Sequence, residues 1–152
     1  MMFISKTITT CFGIGYLQKG AGTIAALFCC LLWYWLHGAE SHLLFQLLLL
    51  LLLFFLGVFT STTVEKEWGK DSNRVVIDEV HGMLTALFLV PFSWQYVPAA
   101  FMLFRFFDIA KPLGIRKMES FPGGWGVMLD DLLAGLYSNV ALQLIIKSHL
   151  FS

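Results

Sequence analysis

The stretch LLFQLLLLLLLFFLGVFTSTTV, Leu43 to Val64, runs 22 residues without a charge and contains seven consecutive leucines, Leu47 to Leu53. About 20 apolar residues in a helix cross about 30 Å of hydrocarbon. No amphipathic pattern divides this run into a buried and a wet face, so it reads as a membrane-spanning helix. The rest of the chain agrees. Of 152 residues, 58% are hydrophobic and only 13% charged, and the mean hydropathy is +0.76. Soluble domains are nearer 45–50% apolar and about 25% charged. The formal net charge is zero, so no global basic field attracts nucleic acid.

Four more apolar stretches flank the leucine run. Thr23 to Leu36 precedes it across a polar turn, His37 to His42. The charged segment Glu65 to Arg74 follows, as a solvated loop or a helix extension. Val75 to Phe92 is apolar except for Asp78, Glu79 and His81, with Pro91, Ser93 and Pro98 marking a turn. Val97 to Ala110 carries Arg105 and Asp108, and Pro112 is expected to stop it near Lys111. Leu113 to Gly126 is irregular. Val127 to Ile146 is the last span, with Asp130 and Asp131 placed in its first turn. Cys11, Cys29 and Cys30 are odd in number and two are adjacent, which suits neither a disulfide framework nor a zinc site. The N-terminus shows no apolar region followed by a small-residue cleavage site, so no removable signal peptide is expected.

Five crossings from a cytoplasmic N-terminus put Lys6, Lys19, Lys66, Lys70, Arg74, Arg105, Lys111, Arg116 and Lys117 on the inner side. That is nine of the ten Lys and Arg, with only Lys147 outside. The fold class expected is therefore all-α: one polytopic integral membrane domain over residues 1–152, with about five hydrophobic helices.

The same threading gathers Asp78, Glu79, Asp108, Asp130 and Asp131 at the cytoplasmic face and leaves Glu40 opposite. Carboxylates at membrane depth cost several kcal/mol or more unless paired, hydrated or metal-bound. Mutual repulsion among acids is relieved by a divalent cation, and hard oxygen ligands suit Mg²⁺, which binds one or two carboxylates together with substrate phosphate. Arg105, Lys111, Arg116 and Lys117 on the same side suit a phosphate group. Metal, acids and bases at headgroup depth point to phosphoryl chemistry on a lipid. Plainer readings stand beside this one. Arg105, Asp108 and Lys111 at intervals of three form an intrahelical ion-pair ladder equally well. Asp130 and Asp131 diverge by about 100° and suit the helix dipole in a first turn. His81 serves as a general acid, a ligand or an ordinary hydrogen-bonding residue. Gly20, Gly22 and Thr23 fit either a phosphate cradle or a glycine turn with an N-cap. Ala134, Gly135, Ser138 and Ala141 allow close helix packing.

Four blocks carry a family resemblance: Phe12-Gly13-Ile14-Gly15 with Gly22-Thr23; Val76-Ile77-Asp78-Glu79-Val80-His81-Gly82-Met83; Phe104-Arg105-Phe106-Phe107-Asp108-Ile109-Ala110-Lys111-Pro112; and Gly123 through Gly135, GGWGVMLDDLLAG. Together and in this order, they resemble the phosphatidylglycerophosphatase A family. The resemblance implies a bacterial inner-membrane enzyme that hydrolyses phosphatidylglycerophosphate to phosphatidylglycerol and phosphate with Mg²⁺. It assigns Asp78, Glu79, Asp108, Lys111, Asp130 and Asp131 to the active site, and the mechanism expected there has Mg²⁺ held by some of the five acids Asp78, Glu79, Asp108, Asp130 and Asp131, as one ion or two. Thr23, Arg105 and Lys111 are assigned to the substrate. The chain departs from the family pattern at Ala21, Ala25-Ala26 and Gly114 and keeps every carboxylate.

Other phosphatase chemistries lack their residues. A thiolate mechanism requires Arg six positions after the Cys, where Leu17, Trp35 and Leu36 stand. No Pro-Ser-Gly-His motif and no pair of Asp separated by one residue occurs. An ion carrier would spread its acids through the bilayer depth rather than cluster them. An assembly subunit, with acids pairing to a partner's bases, would have no catalysis to lose.

Overall fold

The computed structural model describes residues 1–17, 19–36, 43–70 and 72–148. The expected turn His37–His42, with Glu40, lies outside the described residues. Within them the chain is helical: α1 Met2–Thr9, α2 Ala21–Leu36, α3 Leu43–Trp68, α4 Ile77–Ala86, α5 Tyr96–Ala110, α6 Ile115–Met118 and α7 Gly124–Lys147.

Among the described residues two helices have the length and composition to cross a membrane, α3 with 26 residues and α7 with 24. They extend about 39 and 36 Å at 1.5 Å per residue. The large outward side chains of α3, among them Leu44, Leu48, Leu52, Phe55 and Phe59, are exposed. So broad an apolar face is out of place in water. Helix α3 outruns the leucine stretch by four residues, which settles the charged segment's first turn as helix extension. Lys6 of α1 pairs there with Glu67 at 2.5 Å. The Val75–Phe92 stretch yields only a ten-residue helix, because Leu89 adopts a left-handed φ of 56° and the chain turns before Pro91.

Helix α7 starts three residues earlier than the apolar pattern indicates, so Asp130 and Asp131 are its seventh and eighth residues and not in its first turn. The glycines explain the difference. Gly124 approaches the Val58 carbonyl so closely that a Cβ would overlap it. Its amide donates to Thr62 Oγ1 at 2.8 Å, which satisfies a free donor of the helix N-terminus. The helix-dipole account of the two acids is thereby lost. Helix α2 likewise begins at Ala21, placing Thr23 inside its first turn rather than ahead of it. Helix α5 ends where Pro112 requires, with Lys111 as a left-handed cap at φ 46°.

The core lies where α4 and α5 pack on α7, with α2 against α4. Phe104, Met83, Leu87, Ile115 and Leu142 are fully buried in it. Gly82 of α4 and Gly135 of α7 meet backbone to backbone: a Cβ on Gly135 would overlap the Gly82 carbonyl, and one on Gly82 would lie 2.7 Å from the Asp131 carbonyl. The fully buried Ala134 and Ser138 continue that small-residue face.

Candidate active site

The Gly82–Gly135 crossing determines which acids meet. Asp78 and Glu79 occupy the first turn of α4, where the helix dipole favours negative charge. The start of that turn is fixed by the Val76 amide, which donates to the Thr9 carbonyl at 2.8 Å. Asp131 reaches the same space from α7. One carboxylate oxygen from each of Asp78, Glu79 and Asp131 lies within 4.8 Å of the others.

Asp108 of α5 adjoins Asp131, carboxyl to carboxyl, and Asp130 is close enough to interact with both Asp78 and Asp131. Arg105 Nη1 donates to Asp108 Oδ2 at 2.6 Å, and its charge also reaches Glu79. The ion-pair ladder along α5 therefore stops after one rung. Lys111 turns away, donating to Asp130 Oδ2 at 2.5 Å and to Glu119 Oε1 at 2.6 Å. Asp130 and Asp131 point apart, as adjacent helical residues must: one takes the lysine and the other joins Asp78 and Glu79.

Burial lowers the affinity of the Lys111 ammonium for its proton. The hydrogen bonds to Asp130 and Glu119 outweigh that effect and hold its pKa above the ordinary lysine value. Lys111 is thus a fixed positive charge at neutral pH.

The inner acids are buried, Asp131 at 3% exposure and Asp78 at 9%. Among the described residues, Asp78 Oδ1, Glu79 Oε2 and Asp131 Oδ2 have no hydrogen-bond partner, and neither has the buried Arg105 Nε. Asp78, Glu79, Asp108, Asp130 and Asp131, with Glu119 at the rim, share the cations Arg105 and Lys111, so full ionisation leaves negative charge in excess. A buried excess of like charge is costly. Three carboxylates that converge in this way, each with an unsatisfied oxygen, fit a divalent cation of the Mg²⁺ type.

Thr23 is half-buried in the first turn of α2. Its neighbour Gly22 lies against Glu79, and a Cβ there would overlap the Glu79 carboxylate. His81 is buried but turned toward α3, its ring centroid 5.5 Å from that of Phe54. It is not among the grouped carboxylates. Glu119 was absent from the sequence-derived set. It sits in an irregular segment beside Arg116 and Lys117, where an acid reads as ordinary surface charge.

In this helical chain a buried carboxylate cluster flanked by Arg and Lys offers hard oxygen donors suited to a cation beside side chains suited to an anion. The phosphatidylglycerophosphatase A family model matches residues 7–146. A Bacteroides thetaiotaomicron protein named "Putative phosphatidylinositol-3-phosphatase" is 44% identical, covering 92% of each chain. Phosphatidylglycerophosphatase A of Haemophilus influenzae is 36% identical over 86% of this chain and 82% of its own. That of Escherichia coli is 34% identical over 84% and 74%. No solved structure shows significant similarity. The chain belongs to the phosphatidylglycerophosphatase A family.

Proposed function

We propose that this protein hydrolyses the terminal phosphomonoester of phosphatidylglycerophosphate, releasing phosphatidylglycerol and inorganic phosphate, at a cytoplasmic-face site of a multi-pass bacterial inner-membrane protein. The observation that carries the chemistry is the convergence of one carboxylate oxygen each from Asp78, Glu79 and Asp131, residues that each also bury an oxygen without a hydrogen-bond partner among the described residues, beside Arg105 and Lys111. Family membership supports the substrate.

Asp78, Glu79 and Asp131 would hold Mg²⁺, with Asp108 and Asp130 close enough to complete or orient the set. Bound there, the ion would offset phosphate charge and acidify a water molecule. Arg105 has a buried Nε–H without a partner among the described residues, suited to a phosphate oxygen. Lys111 adds a fixed charge on the Asp130 side. Thr23, beside Glu79 through Gly22, would contact the substrate headgroup. A carboxylate of the cluster would take the proton from the attacking water. The positive-inside asymmetry supports five crossings with the N-terminus inside; the short α4 would cross together with the turn that follows it.

A second substrate is favoured by one observation, the phosphatidylinositol-3-phosphatase name of the 44% identical relative. Both lipids carry a phosphomonoester on a polyol joined to the lipid through a phosphodiester. Phosphate release from each should be measured with purified protein in detergent, with Mg²⁺ and with EDTA, for wild type and Asp131→Asn. Mg²⁺-dependent release from phosphatidylglycerophosphate, lost in the variant, is the expected result. Release from the phosphoinositide alone would replace the substrate and keep the site. Release from neither by folded protein would overturn the enzyme reading.

A further inference from the structure

Lys111 has two carboxylate partners of unlike kind. Asp130 is buried in α7, its side chain 8% exposed, whereas the Glu119 side chain is 38% exposed at the rim. Glu119 follows the short α6 and has exposed cations two and three residues before it, Lys117 and Arg116. It pairs instead with Lys111, eight residues back.

The segment that presents Glu119 is fixed at several points. Ile115 is fully buried in the core. Tyr137 Oη donates to the Leu113 carbonyl at 3.2 Å. Gly126 admits the loop backbone so closely that a Cβ would lie 3.1 Å from the Glu119 carbonyl. Lys111 itself holds a left-handed φ of 46°, a conformation non-glycine residues adopt only when their surroundings impose it. A four-carbon side chain leaving a strained cap has many rotamers to lose, and a second anchor removes that freedom before a ligand arrives. The ammonium has three donors. Asp130 and Glu119 take two, and no third acceptor is found among the described residues, which leaves one donor for an anion.

We propose that Glu119 is a positioning residue: from the α6–α7 segment it fixes the Lys111 ammonium beside Asp130, oriented to receive the phosphate of the substrate. This rests on the phosphatase reading for its substrate, but not for its test. Glu119→Ala removes the anchor. Glu119→Gln keeps an acceptor oxygen and removes the charge.

Two measurements apply to wild type and both variants in Mg²⁺ buffer. The first is steady-state hydrolysis of phosphatidylglycerophosphate. Glu119→Ala should raise KM about fivefold and leave kcat within about twofold, and Glu119→Gln should recover most of the loss. The second is the rise in thermal midpoint with inorganic phosphate, a readout independent of turnover. The alanine variant should need about fivefold more phosphate for the same shift, and the glutamine variant should follow wild type. Absence of lipid turnover by wild type would count against the phosphatase reading and leave the phosphate titration to judge Glu119. Three results would overturn the positioning role: no phosphate shift in wild type, phosphate bound by Glu119→Ala as well as or better than by wild type, or no recovery in Glu119→Gln.

Discussion

Gly135 of α7 faces the Gly82 carbonyl of α4 with no room for a Cβ between them. The obstruction is backbone on one side and the Thr85 Cβ, 2.9 Å away, on the other, so nothing flexible yields. Gly135→Ala should push α4 and α7 apart, at a cost of about 1–3 kcal/mol as for other overpacked sites. Asp131 lies one helical turn from Gly135, and Asp78 one turn from Gly82. The same displacement therefore opens the carboxylate group. Thermal midpoint in detergent and Mg²⁺-dependent phosphate release should fall together. A variant of wild-type stability and activity would show that this crossing does not assemble the site.

Gly22→Ala should separate those two effects. The added methyl would meet the Glu79 side chain, whose carboxylate can swing aside, and not backbone. Stability should fall by about 1 kcal/mol, the low end of what an inserted methyl costs, because a side-chain terminus and not backbone must move. Activity should fall at least about tenfold, since carboxylate ligands tolerate little displacement. Equal loss of midpoint and rate would instead mark Gly22 as a packing residue.

Removing the metal and removing a carboxylate should act oppositely on stability. Wild type carries Asp78, Glu79 and Asp131 within 4.8 Å, so a cation that binds only the folded state stabilises it. The gain is about 2.7 kcal/mol at one hundred times Kd. Asp131→Asn relieves the like-charge repulsion and weakens the cation's hold. In EDTA the variant should melt above wild type; in Mg²⁺ the order should reverse or the gap close. Its activity should drop at least about a hundredfold, as expected when a group acting in the transition state is lost. A variant that melts below wild type in EDTA would mean that the acids are held by partners other than a cation.

The long apolar stretches and the candidate acids were legible in the sequence, but not α1, α6, the shortness of α4 or how the acids meet. Leucine runs and Pro112 report local preferences, and these set α3 and the end of α5. The start of α7 depended on Gly124 pressing on Val58 and capping against Thr62, a contact 62 residues away in the chain that no local pattern encodes. Asp130 and Asp131 were visible as a pair. That one turns to Lys111 and the other to Asp78 follows from helix rotation, but only the crossing at Gly82 says which. Glu119 was hidden because its partner is Lys111 rather than either of the cations closest in sequence.

The alkaline side of the pH profile follows from Lys111. Its pKa is raised in the folded protein, burial being outweighed by Asp130 and Glu119. A group raised on folding contributes stability that is fully present below its unfolded value, about 10.4, and lost as pH climbs through the folded value. Between pH 6 and 9, roughly one unit or more below that unfolded value, Lys111 should neither titrate nor bend the activity profile. Lys111→Met should lose on the order of 1.5–3 kcal/mol, the worth of a hydrogen bond to a charged group, because Asp130 is left buried without its cation. The loss should be constant over that window and shrink only above about pH 10. Melting wild type and Lys111→Met in parallel from pH 6 to 11 checks this, and a difference that varied between pH 6 and 9 would mean another group governs the pair.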